Sequence, residues 1–175
     1  TPACYADDIL AMKKLGFNVL RKHIKVEPEE YYYQCDKLGM IVFQDMVNNG
    51  DYNFLRDTAL PTAGIQKLND KKLHKDAKTR ETFLSAMEST VNQLKNHPCI
   101  LYWTIFNEGW GQFKTQEIAA WTKNYDPSRL VDQSSGGNHY PTGGDMLDLH
   151  NYPEPQMYLF DYKRANVLGE YGGVG

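Results

Sequence analysis

The stretch "HPCILYWTIFNEGWG", His97 to Gly111, decides how the rest of the chain is read. From Ile100 to Phe106 the residues are almost all apolar or aromatic and do not alternate with polar ones. That is the pattern of a strand covered on both faces. It runs straight into Asn107 and Glu108, and then into Gly109, Trp110 and Gly111. Upstream, Phe83, Leu84, Met87, Val91 and Leu94 recur at helical spacing, which predicts a long helix over about Arg80 to Asn96 that Pro98 stops. Helix, buried strand, polar end: a strand built this way is expected to deliver the amide and the carboxylate to a site.

The same order recurs along the chain. "AMKKLGFNVLRKH" and "QCDKLGMIVFQDM" each carry Lys-Leu-Gly followed by a short apolar run with a polar end. Ile9, Met12 and Leu15 share one helix face. Pro28, Glu29 and Glu30 suit the first turn of a second helix, and Gly16 and Gly39 suit helix C-termini. The runs Phe17 to Leu20 and Met40 to Phe43 read as buried strands. Further strands are expected near Leu130 to Gln133, Leu147 to His150 and Val167 to Glu170, with helices at about Thr115 to Asn124 and Gln156 to Arg164. Helices or helix-sized segments separate most of the six expected strands, which predicts an α/β fold with a parallel sheet. The turn-rich segment from Met46 to about Lys78 interrupts the rhythm and is expected to lie as a long loop insertion over one end of that sheet.

Composition narrows the functions. The chain has 175 residues, 41% hydrophobic and 23% charged, with a net charge of −3. Length suits one domain, residues 1–175. The charge gives no reason to expect nucleic acid or an acidic membrane as partner, and no apolar run approaches the roughly 20 residues of a membrane helix. No targeting segment is visible, so no compartment is assigned. Cys4, Cys35 and Cys99 are dispersed and odd in number, so free, buried thiols are expected. The first residue is not Met, in keeping with an excised piece or a mature form.

Polar residues gather where the strands end: Arg21 and His23, Gln44 and Asp45, Asn107 and Glu108, Asp132, His150 and Asn151, and Glu170. In parallel α/β proteins sites are built at that end. Two carboxyls across one cleft can divide the work of glycoside hydrolysis, one donating a proton with its pKa raised by burial, the other attacking as the anion. Spacing alone leaves salt bridges and solvated strand ends as the other reading of Glu108 and Glu170.

The motifs add a resemblance. "NHPCILYWTIFNEGWG" resembles the acid/base segment of glycoside hydrolase family 2, the β-galactosidase, β-glucuronidase and β-mannosidase family. "VLGEYGG" looks like its nucleophile segment, and "GFNVLRKHIKVEPEEYYYQCDKLGMIVFQDM" like its Asn-x-x-Arg strand, helix and third strand. The three occur in the family's order. The resemblance implies a (β/α)8 TIM barrel, present here as a partial barrel of about strands two to seven. It implies Glu108 as acid/base, Glu170 as nucleophile, Asn107 on the sugar 2-hydroxyl, and Arg21 holding the nucleophile ionised. It also implies retention through a covalent glycosyl-enzyme, with carboxyls about 5–5.5 Å apart. Asp45, Trp110, His150 and Tyr152 are further substrate-binding candidates, Trp110 as a sugar platform. No cofactor is expected, and no metal is assigned because the family's metal ligands cannot be placed.

Some positions depart from the family pattern. His23 follows Arg21 one residue early, which turns it to the other face unless the strand has already ended. Strand three ends in Gln44-Asp45 rather than Asp-Glu, so the sugar stays open. A complete barrel needs about 250 residues; strands one and eight and the flanking β-sandwich domains have no candidates, so the chain reads as truncated at both ends and is expected to have little activity alone. The expected substrate is an oligosaccharide or glycoconjugate. An endo-acting hydrolase of another family and an inactive carbohydrate-binding barrel remain as alternatives. Among other aromatic and imidazole groups, Trp103 and Trp121 are read as packing and His97 as a turn anchor. His74 is read as solvated, and His139 as a loop residue that could reach ligand.

Overall fold

The computed structural model describes residues 2–48, 50, 52–63, 65, 70–152 and 154–173. Helix α1 (Pro2–Lys14) precedes strand β1 (Val19–Lys22), and α2 (Glu29–Leu38) precedes β2 (Ile41–Asp45). Short helical turns at Leu55–Ala59, Leu60–Thr62 and Asp70–Lys72 lead to α3 (Ala77–Leu94) and β3 (Ile100–Thr104). Helix α4 (Thr115–Tyr125), β4 (Leu130–Asp132), β5 (Met146–Asn151) and β6 (Ala165–Tyr171) complete the order.

All strand pairings are parallel. β1 to β4 lie side by side in chain order, and β5 pairs with β6. Ser135 joins the two groups, bridging to Asn107 on one side and to Asp148 on the other. Six adjacent parallel strands with helices on one face make a partial barrel.

That face holds the apolar core. Val42, Trp103, Ile105 and Val131 pack against Tyr32, Cys35, Phe83, Met87, Val91 and Leu94 from the helices. Full burial of such a side chain contributes about 1.5–3 kcal/mol. Trp103 also donates its indole N–H to Asp126 Oδ2 at 2.9 Å, so the ring is anchored as well as packed. The opposite, inner face is polar: Asp45, Thr104 and Asp132 are register neighbours on β2, β3 and β4, and all three are buried.

Local chemistry sets most boundaries. Asp76 caps α3, accepting the Thr79 N–H at 2.7 Å; the helix therefore starts before the expected Arg80 and ends at Leu94. Gly39 ends α2 at φ 68°, as its position after Leu38 predicts. β1 starts two residues later than the apolar run suggests. Phe17 is 52% exposed, and Asn18 spends its carbonyl on Ile41 N. The strand therefore includes Arg21 and Lys22, and its residues are half-buried rather than covered on both faces.

Other expectations are corrected. No helix forms over Gln156 to Arg164: the Asp161 side chain accepts the backbone N–H of Lys163 and Arg164, a local turn in place of helical bonding. His74 is buried beside Asp57, 3.8 Å from Oδ1, rather than solvated. Cys4 is exposed, whereas Cys35 and Cys99 are buried, and no disulfide joins them. His97 does anchor its turn, with Nδ1 2.6 Å from Asp36 Oδ2. Among the described residues no helix is long and apolar enough to cross a membrane.

Candidate active site

The C-terminal ends of the strands bring Arg21, Asp45, Asn107, Glu108, His150, Tyr152 and Glu170 together. Arg21 is the hub. Its Nε lies 3.0 Å from Asp45 Oδ1, and its Nη2 lies 2.8 Å from Asp45 Oδ2 and 2.9 Å from Asn107 Oδ1. Its Nη1 donates to Glu170 Oε1 at 2.9 Å. Burial opposes charge on Arg21, but Asp45 and Glu170 outweigh it and the guanidinium pKa is pushed up.

This hub orients its neighbours. Arginine only donates, so the Asn107 atom facing it is the carbonyl oxygen, and the amide Nδ2 is left pointing elsewhere, 3.3 Å from His23 Nε2. Asp45 is buried, and both its oxygens are engaged by Arg21; Oδ2 also accepts Ile24 N at 3.1 Å. Asp45 thus holds the guanidinium and faces away from open space. The bond from Ile24 secures a backbone at φ 46°, rare for a β-branched residue. β1 has already ended at Lys22, and this turn carries His23 to within 3.6 Å of Glu170 Oε1. The early histidine therefore reaches the site, against the alternation argument. Its signal was the strand end.

Glu108 stands past β3 on a left-handed backbone, φ 52°, with its N–H donated to the Ser135 carbonyl at 2.8 Å. Strain of this kind persists only where the surroundings enforce it. Its Oε1 lies 3.3 Å from His150 Nδ1, and Thr58 Oγ1 lies 3.5 Å from Oε2. Thr58 comes from the segment expected to cover the sheet end. Nothing in its local sequence singles it out.

His150 sits between the glutamates, 7% exposed. Nδ1 is 3.3 Å from Glu108 and 3.6 Å from Glu170 Oε2, and Nε2 is 2.8 Å from Ser135 Oγ. A Cβ on Gly136 would stand 2.2 Å from the ring, so only glycine lets the imidazole lie there. Tyr152 donates its hydroxyl to Glu170 Oε2. Burial, and then Glu170, push the Tyr152 phenol pKa up, so it remains a donor. The hydrogen bond from His150 pulls the Glu108 carboxyl below the ordinary range and outweighs burial, which pushes it up. Burial alone led to the opposite expectation; the histidine decides it.

The donor atoms of Glu108, His150 and Glu170 lie within 4.8 Å of one another, so the two carboxylates share one space. Arg21 and Tyr152 hold Glu170, and His150 contacts Glu108. Trp110 is not brought to this cluster by any contact described: its indole N–H donates to Gly50 O at 3.3 Å and its ring packs on Tyr52. A cavity of about 720 Å³ between α3 and α4, lined by Leu84, Met87, Ile118 and Trp121 among others, is bordered by none of the carboxylate cluster.

The profile described as "Glycosyl hydrolases family 2, TIM barrel domain" matches residues 3–166. The chain belongs to glycoside hydrolase family 2. It is similar to a beta-galactosidase of Aeromonas hydrophila, 32% identical over 143 residues that cover 81% of this chain, and to one of Vibrio vulnificus, 29% identical over 140 residues and 80%. In each case the chain spans 12% of the relative's length. Among solved structures, the fold is similar to a GH2 beta-galacturonidase from Eisenbergiella tayi (TM-score 0.62, 16% identity, 86% of this chain and 25% of that one). It is also similar to a beta-glycosidase from Bacteroides vulgatus (TM-score 0.59, 20% identity, 86% and 17%). Within family 2 the TIM barrel, here a partial one, is the fold, and the six strands belong to it.

Proposed function

We propose that this chain carries the catalytic centre of a retaining β-glycosidase that hydrolyses a terminal sugar of an oligosaccharide or glycoconjugate. The observation that carries the reading is the shared space of Glu108 and Glu170, with oxygens within 4.8 Å, His150 between them, and Arg21 and Tyr152 on Glu170. Inverting hydrolysis needs carboxyls roughly 6.5–9.5 Å apart to admit a water between them; retention needs them closer.

Glu170 is the nucleophile. Arg21 and Tyr152 direct its oxygens, and the guanidinium stands where negative charge must be held before attack on the anomeric carbon. Glu108 protonates the departing oxygen and then takes a proton from the water that releases the sugar from Glu170. Asn107, held through its carbonyl by Arg21, presents Nδ2 to a sugar hydroxyl. A hydrogen bond there that strengthens as the ring becomes oxocarbenium-like lowers the barrier.

The test uses aryl β-glycosides with a chain long enough to close the barrel. NMR of the first-formed product should show the β-anomer, and mass spectrometry of a trapped intermediate should place the sugar on Glu170. The inverted anomer, or a label on another residue, would overturn the reading. Cleavage of polymeric glucans or mannans in place of the aryl glycosides would point to an endo-acting enzyme.

A further inference from the structure

Three segments close on the peptide that follows Glu108. Gly109, the next residue, stands at φ 71°. A Cβ there would meet the Asp57 carbonyl oxygen at 3.0 Å, and Asn138 Nδ2 and Gln112 Oε1 at 3.4 Å each. A Cβ on Gly137 would stand 2.4 Å from Gly109 N and 3.1 Å from the carbonyl carbon of Glu108. Backbone lies on backbone here, and only glycine at 137 allows it.

Gln112 holds this contact. It is 0% exposed, and Asn138 is 4% exposed. Gln112 Nε2 donates to the Asn138 carbonyl at 2.8 Å, and Oε1 accepts the Asn138 backbone N–H at 3.2 Å and its Nδ2 at 3.3 Å. One side-chain amide thus takes both main-chain groups of a residue on the other loop, as a neighbouring strand would. Both partners are buried, so water does not stand in for a lost bond. The two loops are tied at their other ends as well. Gln112 N donates to Gly109 O at 3.0 Å, Ser135 N to Phe106 O at 2.9 Å, and Gly136 N to Asp148 O at 3.1 Å. Gln112 is therefore fixed relative to Gly109, and Asn138 adjoins Gly137. The amide pair sets how closely Gly137 lies on the Glu108–Gly109 peptide.

The conformation of Glu108 depends on that contact. Its φ of 52° lies in the left-handed region, which a residue with a Cβ enters only under constraint. Relaxed to the right-handed region, its Cβ would swing away and the carboxylate would leave the space it shares with Glu170. None of the contacts described for Gln112 reaches either carboxylate. We propose that Gln112 is a positioning residue for Glu108: by binding both backbone groups of Asn138 it keeps Gly137 against the Glu108–Gly109 peptide and the acid/base in its left-handed form. The inference rests on the glycosidase reading, which gives Glu108 a proton to deliver.

The experiment compares two variants. Gln112→Met keeps the bulk of the side chain and loses its three hydrogen bonds to Asn138. Gly137→Ala drives a methyl group against Gly109 N. In a chain long enough to close the barrel, kcat/KM reports the step in which the leaving group departs. With a 2,4-dinitrophenyl β-glycoside, whose phenolate departs unaided, each variant should stay within about threefold of the parent. With the phenyl β-glycoside each should fall at least about 30-fold, as a positioned acid contributes roughly 10²–10⁴. A purely structural role would lower both alike.

Amide hydrogen exchange of the 175-residue chain, read by NMR, needs no turnover. The Glu108 N–H, on Ser135 O at 2.8 Å, should exchange at least about tenfold faster in both variants. The Val42 N–H, on Cys99 O at 2.8 Å, should keep its rate. Circular dichroism checks that each variant is folded; if Gln112→Met is not, Gly137→Ala decides. Unchanged exchange at Glu108, or equal losses on the two glycosides, overturns the proposal. Faster exchange in variants of a parent that cleaves no β-glycoside would sink the function alone. Retaining turnover with unchanged exchange would sink the clamp alone.

Discussion

Glu108 and Glu170 are the same side chain in two different settings. Glu170 lies within strand β6, directly after the register irregularity at Gly169, and receives a guanidinium at 2.9 Å and a phenol. Glu108 lies beyond its strand at φ 52°, with its nearest side-chain partners at 3.3 and 3.5 Å, one of them a titratable ring. Short, charge-assisted bonds fix a carboxylate in place and keep it an acceptor. Longer contacts to an imidazole and a hydroxyl leave room for a proton to come and go. Under the proposed mechanism, the difference suits one of two identical groups to attack and the other to proton transfer through their neighbours rather than their own chemistry.

The largest expected effect tests that division directly. Glu170→Gln should remove turnover by roughly 10⁵-fold or more for every substrate, as loss of a nucleophile does. Glu108→Gln should cost about 10²–10⁴-fold, and much less in the first step when the leaving group is an acidic phenol that needs no proton. Rates measured over a series of aryl glycosides check it. Equal losses for both variants across the series would break the comparison.

Arg21 should matter next, and for the fold as well as the site. Arg21→Met leaves Asp45 buried with its guanidinium gone and frees Asn107 to flip. Stranding a buried charge in this way costs about 3–5 kcal/mol, read as a lower urea midpoint. Arg21→Lys keeps the charge but cannot reach Asp45, Asn107 and Glu170 at once, and should recover only part of that loss. Tyr152→Phe removes one donor from Glu170 and leaves Arg21; about a tenfold loss in kcat/KM is expected, with stability nearly unchanged because Tyr152 is 52% exposed.

The parts of this site that the sequence exposes are those tied to a strand ending. Apolar runs stop at Asn107-Glu108 and at Glu170, and every expected strand is present, although β1 and β6 are only partly buried. The supporting residues lie in less distinctive places. Ser135 is in a serine-glycine run that reads as a plain turn, and Thr58 is in a segment far along the chain. Asp148 did leave a signal: in "MLDLHN" it alternates with His150, and a period of two puts both on one face. The helix expected over Gln156 to Arg164 failed for a local reason, since Asp161 offers the backbone a turn that helical bonding cannot match. His23 shows the same limit: alternation holds only while the strand lasts.

The smallest expected effect extends the comparison to a carboxyl of the barrel interior, because Glu108 and Asp132 should bend stability with pH in opposite senses. Glu108 is held low in the folded state by His150. Its contribution is therefore present above the unfolded carboxyl value of about 4.3 and fades as pH falls through the folded value. Glu108→Gln should thus be less stable than the parent near neutrality, by no more than about 1 kcal/mol after solvent screening, with the gap closing in acid. Asp132 is held high by burial and by Asp148. The folded chain keeps a proton that the unfolded chain releases, so its stabilising effect is complete below about pH 3.9 and declines as pH rises. Asp132→Asn cannot ionise, so its stability should gain on the parent from acid to neutral pH, by on the order of 1 kcal/mol. Urea titrations at a series of pH values read both slopes. Parallel slopes would mean that burial does not hold Asp132 above the ordinary carboxyl range, and the different settings of the two carboxyls would lose their physical basis.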